Sequence, residues 1–550
     1  MSLTVTLSRE ELPVLEEPPV VALGHPSELL EVDNDHSLPE REPAEDESQY
    51  PTGLPRLLII LSSVLVSVLA SMDGSMVSVA VPALTDHFHT VRDVGWYSAA
   101  FRLCACSFQF MFGKLYKIFS VKWVFISSIL IFMAGSTVCA SAPTSAVFVL
   151  GRAICGFASA GMMAGCFRLL VLYIPMRKRP LYTGLVGSVS GMSGIAAPAL
   201  GGVIVDRLGW RWCFWIALPL SFVTLVCLFF CLTDVKPEVE LTWAQRISEL
   251  DLVGNVLFLP SLTCLFVALS WAGSKYAWNS PTIIGLLGAF GVLLGLFALD
   301  QYRKGDAATL PPRILRNRSV LAGFTYTLCC NSATMVIQYY LPTYFQAVRG
   351  YSASQSGYFQ FPLVGGDTLA VIVQSVGVSI IGYYTPFMFV GSILMPIFAG
   401  LMTTLTMKTA LAEILVFSGF YGFAGGIGFL SPQSAVQMSL PPSDGSVGLS
   451  IILFAEQIGP AVFVSAAQNI FESRLASNLH ELVPSLNATS VESMGLSDLK
   501  SLIGPENLGD VLLGFDKSLA QTWYLAVALA CVTMVGSATM EWKSVKEKRE

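Results

Sequence analysis

Charge is scarce in this chain. Asp, Glu, Lys and Arg make up 13% of its 550 residues, about half the share of an ordinary soluble protein, which excludes a string of soluble domains. Histidine is scarcer. Of five in total, His25 and His36 lie in the first 50 residues and His87, His89 and His480 between the apolar runs. Any proton moved through the apolar part therefore rests on carboxylates. Cysteine is missing from the loops: all twelve, Cys104 to Cys531, sit inside apolar runs without zinc-ligand spacing. They read as small buried hydrophobes, not as disulfides or metal ligands. No loop gathers a nucleophile, a base and metal ligands, so the sequence predicts neither an enzyme nor a metal site. A basic start followed by a short apolar run is also lacking, so no cleavable leader is expected.

What the chain has in plenty is apolar sequence: 53% of residues and a mean hydropathy of +0.63. The useful ruler is the bilayer, which needs about 20 apolar residues per helical crossing. About fourteen stretches meet it: 56–84, 95–116, 123–141, 146–174, 181–205, 211–233, 251–272, 281–300, 319–346, 355–382, 385–407, 411–432, 446–471 and 518–540. The fold class is an all-α polytopic membrane protein.

The net charge of −6 is unevenly spread. Residues 1–50 hold 13 acidic side chains against Arg9 and Arg41, net −11, which leaves +5 for the remainder. This Pro- and Glu-rich tail buries too little apolar surface to fold and reads as disordered. With the tail cytoplasmic, the inner loops carry 17 basic residues and the outer loops nine, so both termini are expected inside. The sequon Asn487-Ala488-Thr489 then faces the lumen, where glycosylation occurs. The connection 301–318 mixes Leu310, Ile314 and Leu315 with Arg313, Arg316 and Arg318. It reads equally as a short basic helix on the inner membrane surface or as an irregular loop.

A charge inside hydrocarbon costs at least about 2.5–3.5 kcal/mol, so each one kept there needs a partner, a wet cavity or a task. Six occur: Asp73, Arg102, Arg152, Arg168, Asp367 and Glu456. Arg168 lies near a helix end and is expected to reach the interface with its long stem. Asp73, deep in the first stretch, reads equally as a proton carrier or as half of a fixed ion pair. Arg152, beside Gly156, Gly161 and Gly165, is placed to set the ionisation of a carboxylate. Glu456 with Gln457, and Asp367, Gln338, Gln433 and Gln437 on other helices, read either as the wet lining of a second half-bundle or as polar side chains that cross-link helices by hydrogen bonds. The fifth stretch, GLVGSVSGMSGIAAPALGGVIVD, has a small residue every three or four places and one proline, a pattern for close packing with a single bend.

These motifs resemble the major facilitator superfamily, specifically the fourteen-helix drug:proton antiporter branch found in fungal toxin and multidrug efflux pumps, over about residues 55–545. Asp73 through Pro82 is similar to that branch's first-helix motif. Gly113, Lys114 and Lys122 occupy the basic loop motif after the second helix, and Arg152 through Gly161 the fourth-helix motif implicated in proton coupling. Gly194, Pro198, Gly201 and Gly202 fall in the fifth-helix antiporter motif, a hinge. Five positions depart from the pattern. Lys117 and Ser120 replace an Asp and a Gly, Ala197 replaces the Gly before Pro198, Asp367 is not expected by the pattern, and Arg102 stands where an uncharged residue is usual, read either as tuning substrate charge or as pairing with Asp73.

The resemblance implies a tail at 1–54, a six-helix bundle at 55–233, two inserted helices and a basic loop at 234–318, a second bundle at 319–540 with an outer loop at 472–517, and a tail at 541–550. It implies a proton-coupled exporter of a small organic molecule, a toxin, secondary metabolite or drug, in the cell membrane or alternatively a vacuolar one. Asp73, Arg152 and Glu456 would carry the coupling. No cofactor beyond the proton gradient, no nucleic acid and a monomeric state are expected. An importer of a metal chelate or nutrient, and a membrane sensor, remain alternatives, since a fold fixes neither direction nor use.

Overall fold

Hydrocarbon offers no water to backbone N–H and C=O groups, so apolar runs satisfy them internally as helices. A computed structural model describes residues 53–89, 93–175, 178–232, 242, 245–246, 250–273, 275–441, 444–483 and 508–544, and these are helical almost throughout. The first part comprises α1 (Leu54–Phe88), α2 (Val94–Ile118), α3 (Val121–Ser141), α4 (Ser145–Tyr173), α5 (Arg179–Leu208), α6 (Trp212–Trp215) and α7 (Ala217–Cys231). Next come α8 (Leu252–Trp271), α9 (Pro281–Lys304) and the short α10 (Pro312–Leu315). The last part comprises α11 (Arg318–Thr343), α12 (Ala353–Tyr358), α13 (Phe361–Ile381), α14 (Thr385–Thr403), α15 (Leu411–Gly426), α16 (Ser431–Ser439), α17 (Gly445–Leu482) and α18 (Leu508–Thr539). Residues 1–52 of the expected tail, Asn487 and residues 545–550 lie outside the described residues.

Among the described residues, twelve segments are long and apolar enough to cross a membrane. The helices α2 and α5, of 25 and 30 residues, are also long enough to cross, although Arg102, Lys114 and Lys117 dilute the apolar run of α2. Several boundaries differ from the sequence reading. The stretch 355–382 is two helices, α13 starting afresh with Pro362 in its first turn. The stretch 411–432 breaks at Ile427–Leu430 and resumes as α16. The side chain of Gln374 holds that break, donating to Ser431 Oγ at 2.6 Å and accepting from the Leu430 amide at 3.3 Å. The expected outer loop is shorter than 472–517, because α17 runs on to Leu482 and α18 begins at Leu508. Leu475 and Leu479, one turn apart, bury in the same cluster as Val511 and Phe515, so burial sustains both helices beyond the apolar runs. His87 and His480 thereby fall in last helical turns rather than in loops.

Three apolar clusters organise the packing. One is built mainly from α1 to α7 and another from α11 to α18. A third lies in the seam between them and joins Cys106 and Phe110 of α2, Phe258 of α8, Phe297 of α9, Ile314 of α10 and Val447 and Ile451 of α17. Helices α8 and α9 pair with each other, and α8 packs on α2 and α17. The connection 305–315 is neither a membrane-surface helix nor a free loop. Ile314 is fully buried and Leu310 nearly so, both inside the seam cluster.

Asp251 anchors that connection. It sits in the left-handed region (φ 48°), which a short Asp side chain tolerates, and caps α8 by accepting from the Gly254 amide at 2.9 Å. Its carboxylate also takes bonds from Gln301 at 2.7 Å, from Thr309 Oγ1 at 2.8 Å and from Lys304. Burial pushes its pKa up, but these donors outweigh burial and hold it at about 2.

All eleven described cysteines are free; seven are buried, and Cys531 is exposed on α18. The expectation of buried hydrophobes therefore fails at Cys531, which sits on an outward face of α18.

Candidate functional site

Where the two large helix groups face each other they leave a cavity of about 380 Å³, within the size range of small-molecule sites. One wall comes from α1, α2, α4 and α5, the other from α11, α13, α15, α16 and α17.

On the first wall, Arg152 of α4 donates to Asp73 Oδ2 of α1 at 2.6 Å, with 1% and 3% of the two side chains exposed. Arg152 Nε also donates to the Tyr97 carbonyl at 3.0 Å, and its guanidinium lies 4.7 Å from the Phe101 ring centre. Three kinds of contact thus hold one cation, as a charge so deeply buried requires. The α4 glycines permit the approach: a Cβ on Gly156 would run into the Phe101 carbonyl of α2. Arg152 lines the cavity, whereas Asp73 sits behind it in the bundle interior. The partner of Asp73 is therefore Arg152 and not Arg102. Arg102 also lines the cavity, with an exposed side chain, seven residues before Gln109 on the same face of α2.

The second wall carries Asp367, Glu456, Gln338, Gln433 and Gln457. Asp367 and Glu456 are half-buried, and among the described residues neither carboxylate has a cation within ion-pair distance. Asn331 braces the wall by donating to the Glu456 carbonyl at 2.5 Å. Gln437 does not line the cavity. One turn beyond Gln433, it lies towards the end of α16, away from the opening.

One end of the seam is shut. Gly113 of α2 stands so close to α17 that a Cβ would strike Ser450, and Gly184 of α5 likewise meets Ser375 of α13. At this end Lys117 donates to Asp444 Oδ1 at 3.0 Å, while Arg313 of α10 lies 2.8 Å from Asp444 Oδ2. Burial raises the Asp444 pKa, but the bonds from Lys117 and Arg313 prevail and lower it. The Lys at 117 therefore replaces an acidic residue without losing an electrostatic tie, because the acid stands on the opposite helix group.

The remaining motif residues have structural partners. Lys122 donates to the Phe229 and Leu232 carbonyls at 2.9 and 2.7 Å, capping the end of α7. Lys114 is buried. Gly194 lines the cavity, and Gly201 and Gly202 face Met76 and Val79 of α1 at ordinary contact distance. Pro198 lies within α5, with its side chain outside the described residues. Arg168 is buried rather than reaching an interface, since α4 is enclosed along most of its length. Sequence reasoning passed over Gln109, Asp444 and the linking role of Arg313. Gln109 had a signal, a lone amide in the apolar run SFQFMF; Asp444 had none, because it read as part of a loop.

Among the described residues no group of His, Cys, Asp and Glu is arranged to hold a metal ion. A family model, the Major Facilitator Superfamily, matches residues 63–464. An MFS-type efflux pump of Arthroderma benhamiae is 39% identical over 502 residues, 91% of this chain and 94% of that protein. The efflux pump aflT of Aspergillus parasiticus is 36% identical over 510 residues, 92% and 99% of the two chains. Among solved structures, the proton:xylose symporter XylE is similar with a TM-score of 0.58 at 12% identity, over 91% of this chain and 98% of that one; at that identity the likeness concerns the fold.

Proposed function

This chain belongs to the major facilitator superfamily and is a multi-pass membrane transporter, and from that premise we propose that it exports a small organic molecule across the plasma membrane in exchange for protons. It is not an enzyme. The export direction and cargo class draw on the pumps it resembles. The coupling rests on one observation, the buried Asp73–Arg152 pair in the wall of the cavity.

In this reading the Lys117 end faces the cytoplasm, both termini lie inside, and the shut seam makes this an outward-facing state. A proton arriving through the cavity reaches Asp73 only past Arg152. Protonation removes one charge of the pair, and Arg152 is then held by the Tyr97 carbonyl and the Phe101 and Phe214 rings. That loss of attraction shifts the balance between two packings of the helix groups, so the proton is carried as the cavity turns inward. Glu456 of the second wall is the further carboxylate that takes part. Energetically one proton suffices. A potential of about 100 mV supplies about 2.3 kcal/mol and one pH unit about 1.4 kcal/mol, together enough for roughly five-hundredfold accumulation of a neutral cargo.

The test uses inside-out vesicles carrying the full chain, with an acid interior and a pH dye inside. Cargo added outside should raise the internal pH and accumulate, and Asp73→Asn should abolish both effects. Accumulation that persists with every ion gradient collapsed would refute the coupling.

A further inference from the structure

The two walls differ in what they offer a ligand. On α2, Arg102 carries five N–H donors on a guanidinium that, among the described residues, forms no hydrogen bond and no ion pair. Arg152 cannot be its competitor for an acid, since Asp73 already neutralises it. Two turns further along the same face, about 10 Å away, Gln109 is 97% buried by its 3% exposure, and its Nε2 has no hydrogen-bond partner. A buried amide N–H left without a partner costs about 1–3 kcal/mol, which a bound acceptor recovers.

The facing wall shows the reverse pattern. Gln433 is 2% exposed, and its Oε1 is a buried acceptor without a partner. Asp367 and Glu456 on α13 and α17 add carboxyl oxygens free of any cation. One wall therefore presents an unpaired cation and the other unpaired carboxylates, and each also holds a buried amide with an atom that has no hydrogen-bond partner among the described residues.

We propose that the cavity selects flat organic acids with a hydroxyl at the far end: Arg102 binds the ionised acid group, and Gln433 with its acidic neighbours receives the hydroxyl. The inference names the cargo class of the transport site and rests on reading this cavity as that site. Arginine suits the task because its planar fork takes both oxygens of a carboxylate at once, which a lysine cannot. The carboxylates opposite repel an acid group from the wrong wall, so they fix the orientation as well as accepting the hydroxyl. Gln109 supplies a donor for a carbonyl midway along a longer molecule.

The experiment is equilibrium binding by titration calorimetry to the full chain in lipid nanodiscs, with 6-hydroxy-2-naphthoic acid, 2-naphthoic acid and 2-naphthol as probes. The hydroxy acid should bind at least tenfold tighter than the naphthol, with the plain acid between them. Arg102→Gln should bring the acid-to-naphthol ratio close to one, and Arg102→Lys should keep it within about threefold of the parent. Gln433→Leu should erase the gap between hydroxy acid and plain acid and leave the Arg102 effect in place. Naphthol binding as tightly as the acids, a ratio unmoved in Arg102→Gln, or no measurable binding of any probe would each overturn the proposal. Because binding is read without a gradient, it stands apart from the export reading, which fails instead if inside-out vesicles bind the hydroxy acid but never accumulate it.

Discussion

On the α1–α5 side of the cavity, Asp73 is matched by a cation at 2.6 Å and shut away from the opening. On the α11–α17 side, Asp367 and Glu456 face the same space and, among the described residues, have no cation of their own. The first arrangement stores its charges, because breaking a buried pair costs several kcal/mol. The second arrangement leaves its charges available to whatever enters. The proposed exchange would use both, one wall as the switch and the other to meet the cargo.

The sharpest way to break this contrast is at Arg152. Arg152→Ala leaves Asp73 buried without a counter-charge, and about 3–5 kcal/mol of stability should go with it. Glu456→Gln and Asp367→Asn strand no partner and should lower the thermal midpoint little while altering transport. A denaturation series on all three reads the difference, and equal losses would erase the contrast. Next in size is Gly156→Ala, whose added methyl forces α2 from α4 and should cost about 1–3 kcal/mol. Gly365→Ala, on the exposed side of α13 where a Cβ meets nothing within 4 Å, should be near neutral.

A smaller effect is expected at the shut end. Asp444→Asn removes the tie of both Lys117 and Arg313 and should shift the chain towards inward-facing, read as faster labelling, from the Lys117 side, of a cysteine put in place of Ser450, which faces Gly113 in the shut seam. Smallest is the pH response of the connection. Asp251 lies below its unfolded value of about 3.9, at about 2. Its contribution is therefore complete above about pH 4 and fades only as pH falls towards 2. The stability deficit of Asp251→Asn should be constant from pH 5 to 8 and shrink below pH 4; a change within the physiological range would move that cluster into the coupling machinery.

Much of the fold was open to a reading of hydropathy, because the cost of bare backbone in hydrocarbon leaves a long apolar run little choice. Asp73 and Arg152 stood out for the same reason, as charges where charges are expensive. Their pairing was not legible, since 79 residues separate them and position along a chain does not state which helices touch. Helix ends were missed where burial continues past the apolar run, as at Leu475 and Leu479. Gln437 was included and Gln109 omitted because composition names polar residues without saying which way a helix turns them. Asp444 lies just outside the apolar stretch 446–471, so nothing in the sequence signalled that it meets Lys117 across the seam.

The seam cluster carries a mechanical consequence. Phe110, Phe258 and Phe454 meet with ring centres 4.7 to 5.7 Å apart, and Phe258 rests on Phe297 at 4.8 Å. Tilted and offset ring pairs of this kind are among the preferred aromatic geometries. Because α8 packs on both α2 and α17 through these rings, any rocking of one helix group against the other in the proposed cycle has to shear this contact. Bulk added there, for example Cys106→Phe, should slow turnover while leaving the affinity for cargo as it was.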